Sequence, residues 1–255
     1  MNLVLEEFDN NQEAVINPSD IITKKENFPE VAIACYSKIL FDKIVDNSVG
    51  CVIGELQNTV GKKLIYEIEY KGKKIALFNI GAGAPMAATD IEDIHEMGSK
   101  KFIVFGNCGV LDKEIEDCSI IIPTEAIRDE GTSYHYMAPS RTVKLNEKFV
   151  DEFKKLLHEF GYSYTEGVTW TTDAFYRETR GKVIARKQEG AKTVEMEAAA
   201  LQAVCNFRGI ELLTFFYAGD NLDIPNWDKR SLAGDIKLER KMGVALLALE
   251  MALRI

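Results

Sequence analysis

The chain has 255 residues, with 31 Lys and Arg against 40 Asp and Glu, for a formal net charge of −9. That length can bury a large α/β core, and 46% apolar with 28% charged residues excludes wholesale disorder. With no basic block to displace phosphate counterions, an acidic chain excludes nucleic acid as the default partner.

Residues 1–25 are polar and turn-rich (Asp9-Asn10-Asn11, Asn17-Pro18-Ser19-Asp20). They read as an N-terminal arm ahead of one domain over 26–255. Met1 to Asp20 carries Glu6, Glu7 and Asp9 but no Lys or Arg, the reverse of a signal peptide. The longest apolar stretch, Met242 to Leu249, is too short to cross a bilayer. Five cysteines without C-x-x-C spacing point to a reducing cytoplasm. Three scattered histidines without H-E-x-x-H suggest no metal site.

Past the arm, Val31 to Cys35 reads as a buried strand, followed by a helix to Val45. Lys63 to Tyr70 alternates as a half-exposed strand, and Lys71-Gly72-Lys73 turns into a buried strand over Ile75 to Ile80. Gly81-Ala82-Gly83 makes a turn before a helix predicted over Ala84 to Met97, with Pro85 in its first turn and Gly98 past its end. Phe102 to Phe105 is a strand, and Gly106-Asn107-Cys108-Gly109 reads as a second Gly turn. Ser119 to Ile122 is a further strand. Asn146 is placed to cap a helix whose Phe149, Val150, Phe153, Leu156, Leu157 and Phe160 share a face. Gly167 to Thr172 is strand-like, Glu195 to Arg208 a helix stopped by Gly209, and Leu212 to Ala218 a strand. Residues 231–255 read as a terminal helix with Leu232, Ile236, Leu246, Leu249 and Leu253 in an apolar stripe. This alternation predicts an α/β sheet covered on both faces, with ligands at the strand ends where the Gly turns lie.

Four segments carry chemistry-bearing residues, each with a plain structural alternative. The Gly turn before Ala84 can present N–H groups to an anion, yet Met86 stands where a dinucleotide fingerprint needs its third glycine, so a tight turn is equally served. In Val194-Glu195-Met196-Glu197 two carboxylates sit among apolar residues; one turned inward needs partners, and vicinal sugar hydroxyls suit it. The alternative is a pair of acids at the positive end of a helix. Asp220 in Gly219-Asp220-Asn221 ends a buried strand, where an acid can transfer a proton or satisfy its own turn. Phe175, Tyr176, Arg177 and Arg180 can stack on and hydrogen-bond a planar base, or begin a solvated helix capped by Asp173. The loop Gly131-Thr132-Ser133-Tyr134-His135-Tyr136 is equally ambiguous.

In this order and spacing, the segments resemble the nucleoside phosphorylase family, which contains uridine phosphorylases, hexameric purine nucleoside phosphorylases and methylthioadenosine nucleosidases. The resemblance runs from about Val31 to the C-terminus. V-E-M-E-A-A-A with the downstream A-G-D-N carries most of it. I-G-A-G-A-P, F-G-N-C-G, E-G-T-S-Y-H-Y and T-T-D-A-F-Y-R-E-T support it. It implies a single-domain, three-layer α/β/α fold on a central mixed sheet. It further implies phosphorolysis of a nucleoside to free base and ribose 1-phosphate, purine ahead of uridine. No metal or cofactor is implied; inorganic phosphate is the co-substrate, and the chain forms a homo-oligomer (dimer, trimer of dimers or hexamer).

The roles the resemblance implies are specific. Glu197 binds the ribose 2′ and 3′ hydroxyls, with Met196 under the sugar and Glu195 and Val194 beside it. Phe175 packs on the base, Arg177 and Arg180 stand where uridine phosphorylases grip uracil, and Asp220 protonates or hydrogen-bonds a leaving purine. Gly81, Asn107 and Gly109 belong to the two Gly segments, and His135, like Tyr134, is a residue to lend to a neighbouring subunit. The chain also departs from the family. Val104 stands at the position of a phosphate-binding arginine, Asn107 replaces a Ser or Thr, and the loop after the first strand reads A-C-Y-S-K-I-L without glycine or arginine. Lys38, Lys62 and Lys63 are the substitutes at hand. A nucleoside hydrolase using water and a non-catalytic nucleoside-binding protein are the alternatives.

Overall fold

The computed structural model describes residues 3–59, 61–232 and 234–255. Ten strands form one mixed sheet. They are β1 (Val31–Cys35), β2 (Val49–Asn58), β3 (Gly61–Tyr70), β4 (Lys73–Asn79), β5 (Lys101–Val110), β6 (Ile120–Asp129), β7 (Thr142–Lys144), β8 (Tyr164–Thr172), β9 (Ala191–Glu195) and β10 (Glu211–Asn221). The helices are α1 (Pro18–Ile21), α2 (Lys38–Asp46), α3 (Ala84–Met97), α4 (Val150–Glu159), α5 (Arg180–Gln188), α6 (Ala198–Arg208) and α7 (Leu238–Ala252).

The order along the sheet is β10-β6-β8-β9-β5-β1-β4-β3-β2, with β7 on β6. β5 also pairs in parallel with β10, so β5, β10, β6, β8 and β9 close on themselves in a ring. The remaining strands extend from β5 as an open wing, with β1 parallel to both β5 and β4.

Both faces of the central strands are buried, which is why β1 is an unbroken apolar run rather than an alternating one. Val31, Ile33 and Cys35 face a cluster with Leu40, Phe41 and Ile44 of α2, Phe153, Leu156 and Leu157 of α4, and Val244 and Leu247 of α7. Ala32 and Ala34 face the other side, with Ala87, Ile91 and Ile94 of α3 and Leu201 and Cys205 of α6. Helices therefore cover the two sides of a mixed sheet, as the alternating pattern predicts.

Several expectations change. Residues 106–109 are not a turn: β5 continues through them, pairing Gly106, Asn107 and Cys108 with Phe216, Tyr217 and Ala218. Their glycines answer crowding instead. A Cβ on Gly106 would lie 2.8 Å from the Tyr36 ring, and one on Gly109 2.7 Å from Leu222 and 3.3 Å from Asp220 Oδ1. Glu195 ends β9, and α6 begins only at Ala198, with Glu197 at its N-cap. Asn146 does not cap α4, whose N-cap is Phe149. Its buried amide donates to the carbonyls of Pro123 and Thr214 and accepts from Thr214 N–H. Asp173 accepts from Gly131 N–H, and α5 is capped by Thr179. The last helix begins at Leu238 rather than 231, and Leu232, Ile236 and Leu246 are exposed; the buried side of α7 is Val244, Ala245, Leu247, Ala248 and Met251. The strand β2 and the short β7 were not legible in the pattern. Along the arm, Lys25 N–H bonds the Met97 carbonyl at the end of α3. Among the described residues no helix is long and apolar enough to cross a membrane.

Candidate active site

The ends of β1, β5, β9 and β10 converge on a cavity of about 920 Å³. Of the residues singled out from sequence, Asn107, Gly109, Phe175, Arg180, Val194, Glu195, Met196, Glu197 and Asp220 line it. Ligand sites at strand C-termini are the rule for such sheets.

The two glutamates do different things. Glu195 Oε2 accepts from the N–H groups of Glu197 (2.8 Å) and Ala198 (2.7 Å), and Oε1 from the hydroxyls of Thr171 (2.6 Å) and Thr169 (3.4 Å). It thereby satisfies donors that the start of α6 would leave unpaired. Burial pushes its carboxyl up, and those hydrogen bonds oppose the push. Its role is to hold the turn that carries Glu197. Glu197 Oε1 accepts from Gly83 N–H at 2.5 Å. Burial, then the nearby Glu195 charge, push the Glu197 carboxyl up to about 8. Burial and the Glu195 charge thus penalise the very charge that a sugar's hydroxyls would stabilise.

Gly81 does not serve as an anion receiver. Its N–H is taken by Asp90 Oδ2 at 2.7 Å, and Asp90 also pairs with Lys63. With Gly83 N–H held by Glu197, the first Gly turn is already filled by the protein's own carboxylates. Nor do the lysines stand in for arginine: Lys38 pairs with Asp42, Lys62 with Glu55 and Lys63 with Asp90. Val104 is fully buried in the cluster beneath α3 and α6.

Toward the other end, Asp220 Oδ2 accepts from Trp227 Nε1–H at 2.7 Å. The loop carrying Trp227 is closed by the bridge between Asn221 and Asp228. It is stapled by Arg180, which donates to the carbonyls of Leu222, Ile224 and Pro225. Arg180 therefore shapes the wall, its guanidinium committed to backbone oxygens. Arg177 is exposed and His135 lies on the surface; neither lines this chain's cavity. The His135 loop is held by the buried Arg128, which donates to Ser133 Oγ, Ala138 O and Met137 O.

Three residues that the sequence reading did not assign also face the cavity. Tyr36, just past β1, has a buried hydroxyl with no partner among the described residues. Burial and the charges of Glu197, Glu195 and Asp90 push its phenol well above the usual range. Glu178 follows the 3-10 turn Phe175–Arg177, and burial with the Asp220 charge push its carboxyl up to about 7. Trp227 sits in the loop after β10. Only Glu178 had a local signal, standing two residues before Arg180; the other two come near through strand pairing. Among the described residues, no group of three or more His, Cys, Asp or Glu is gathered as a metal requires.

Comparison with known proteins agrees with this architecture. The phosphorylase superfamily model matches residues 52–246. Guanosine phosphorylase of Halorubrum lacusprofundi is 25% identical over 74% of this chain and 78% of its own length. Purine nucleoside phosphorylase (DeoD-type) of Alkaliphilus metalliredigens is 28% identical over 72% and 78%. Uridine phosphorylase of Thermococcus kodakarensis is 29% identical over 56% of each chain. The crystal structure of uridine phosphorylase from Vibrio fischeri superposes with a TM-score of 0.77 at 20% identity, covering 91% of this chain and 95% of that one, a likeness of fold. The chain belongs to the phosphorylase superfamily.

Proposed function

We propose that this member of the phosphorylase superfamily cleaves the N-glycosidic bond of a nucleoside, a purine nucleoside first, by transferring the ribosyl group to inorganic phosphate. The products are free base and ribose 1-phosphate. The observation that carries the reading is one cavity in which a buried carboxyl, Glu197, and a strand-end acid, Asp220, accompany aromatic walls.

The chemistry follows from charge. Breaking the bond builds positive charge on the sugar and negative charge on the base. Glu197, accepting from the ribose hydroxyls, becomes an anion beside the cationic sugar and favours the transition state over the ground state. Phe175 stacks on the base. Carboxyls at the Asp220 end hydrogen-bond or protonate it, which eases its departure. The reading needs no metal or cofactor. It also takes 26–255 as the catalytic unit after the arm, the protein as a homo-oligomer, and the cytoplasm as its compartment.

A second reading, transfer to water, is favoured by one observation. Among the described residues, Arg180 is the sole Lys or Arg lining the cavity, and its guanidinium is tied to carbonyls. Each charge-assisted contact missing from a phosphate dianion forgoes about 1.5–3 kcal/mol. The deciding assay is base release from adenosine, inosine and uridine, with and without phosphate. Release that requires phosphate and yields ribose 1-phosphate supports the first reading; free ribose without phosphate supports the second. Nucleoside binding without release would mark a binding protein. Glu197→Ala is expected to abolish turnover, and a variant with unchanged kcat/KM would remove Glu197 from the ribose site.

A further inference from the structure

We propose that Glu178, and not Asp220, gives the leaving base its proton. This deepens the proposed nucleoside cleavage and rests on it.

Glu178 is held where it can act. Its N–H bonds the Phe175 carbonyl at 3.1 Å, closing the 3-10 turn that carries the two aromatics. Its side chain lines the same cavity as Asp220, Phe175 and Trp227. The carboxyl is half-buried and has no hydrogen-bond or ion-pair partner among the described residues. A partly desolvated carboxyl without a donor is easiest to keep neutral.

The charged groups around it agree. From β10, Asp220 faces it, and the Asp220 charge adds to burial in pushing Glu178 up to about 7. Asp223, further along that loop, is paired with Lys187. On its own segment Arg177 is exposed, and Arg180 turns its guanidinium to Leu222, Ile224 and Pro225. Among the described residues, no cation is therefore directed at Glu178 to hold it ionised.

Asp220 is placed oppositely. Its Oδ2 accepts the Trp227 indole N–H at 2.7 Å, so that oxygen is already engaged in the cavity wall. Two carboxyls in one site, one held by a donor and one unpartnered, are suited to different roles. A donor must have an oxygen free to face the base and carry its proton near the working pH; Glu178, unpartnered in the cavity and pushed up to about 7, meets both conditions.

The proton balance is simple. As the C1′–N bond breaks, its electron pair passes into the base, and the Glu178 O–H proton moves to a ring nitrogen of that base. The ribosyl carbon bonds an oxygen of phosphate or water, which releases one proton. That proton restores Glu178.

The test uses the full-length protein and two substrates. Adenosine needs a proton to leave well; p-nitrophenyl β-D-ribofuranoside expels a phenolate that needs none. Glu178→Gln keeps the shape and is expected to lower kcat on adenosine by about 100-fold or more. On the aryl riboside it should stay within about threefold of wild type. It should also remove the fall of kcat/KM above about pH 7, the side on which Glu178 loses its proton. Equal losses on both substrates, or no loss on adenosine, would overturn the assignment. So would the same substrate split in Asp220→Asn with none in Glu178→Gln. A wild-type protein that cleaves neither substrate would instead defeat the cleavage reading itself, and this inference with it.

Discussion

Glu195 and Glu197 stand two residues apart, yet only one is available to a ligand. Glu195 spends both oxygens on the N–H groups of Glu197 and Ala198 and on two threonine hydroxyls. Glu197 is buried with the Glu195 charge nearby, and its carboxyl rises from 4.5 to about 8. The sign of the consequence follows from proton counts. Between about 4.5 and about 8 the folded chain retains a proton that the unfolded chain has lost, so the folded state loses stability as pH rises through that window. Glu197→Gln, which has no charge to bury, is expected to be more stable than wild type at pH 8.5 and closer to it at pH 5. Thermal melts of the ligand-free proteins at the two pH values check this; a stability gap independent of pH would refute it. That a motif carries two acids was legible in the sequence. Which acid is spent on the backbone was not, because Thr169 and Thr171 arrive from β8 through strand pairing.

Elements were legible where a single local rule decides them. α3 falls on Ala84–Met97 as read, because Pro85 suits the first turn and Gly98, at φ 145°, takes a conformation that other residues avoid. Boundaries failed where a partner strand or side chain decides. Residues 106–109 have turn-like composition but are drawn into β5 by pairing with β10. Asn146 has the chemistry of a helix cap, yet bridges β6 and β10 through Pro123 and Thr214. Asn146→Ala would leave those buried carbonyls and the Thr214 N–H without a partner, for a loss of about 2–4 kcal/mol. Urea unfolding is the measurement, and a loss under about 0.5 kcal/mol would show that the bridge contributes little.

At the scale of the molecule, the cavity of one chain takes up nine of the twelve sequence-assigned residues and leaves Gly81, Arg177 and His135 outside. His135 is exposed on a loop that Arg128 holds rigidly from within. If His135 serves a neighbouring copy in the proposed homo-oligomer, His135→Ala and Glu197→Ala are each weakly active or inactive alone. Mixed after dissociation and reassembly, they are expected to recover activity, because some sites then draw a native residue from each parent. No recovery from a reassembled mixture would place His135 outside the site.

The sequence by itself determined the alternation of strands and helices, the α/β class and the family, together with the acids and aromatics that gather at strand ends. These rest on local periodicity, on the conformations open to Gly and Pro, and on ordered motifs, all of which lie along the chain. Only the tertiary structure decided that Asp90 and Glu197 fill the first Gly turn, that Arg180 staples a loop, that Glu178 shares the cavity with Asp220, and that no free cation among the described residues lines that cavity. The reason is physical. A carboxyl's partners and charge state depend on what long-range strand pairing brings to it, and the ring closed by β5, β10, β6, β8 and β9 joins residues far apart in sequence.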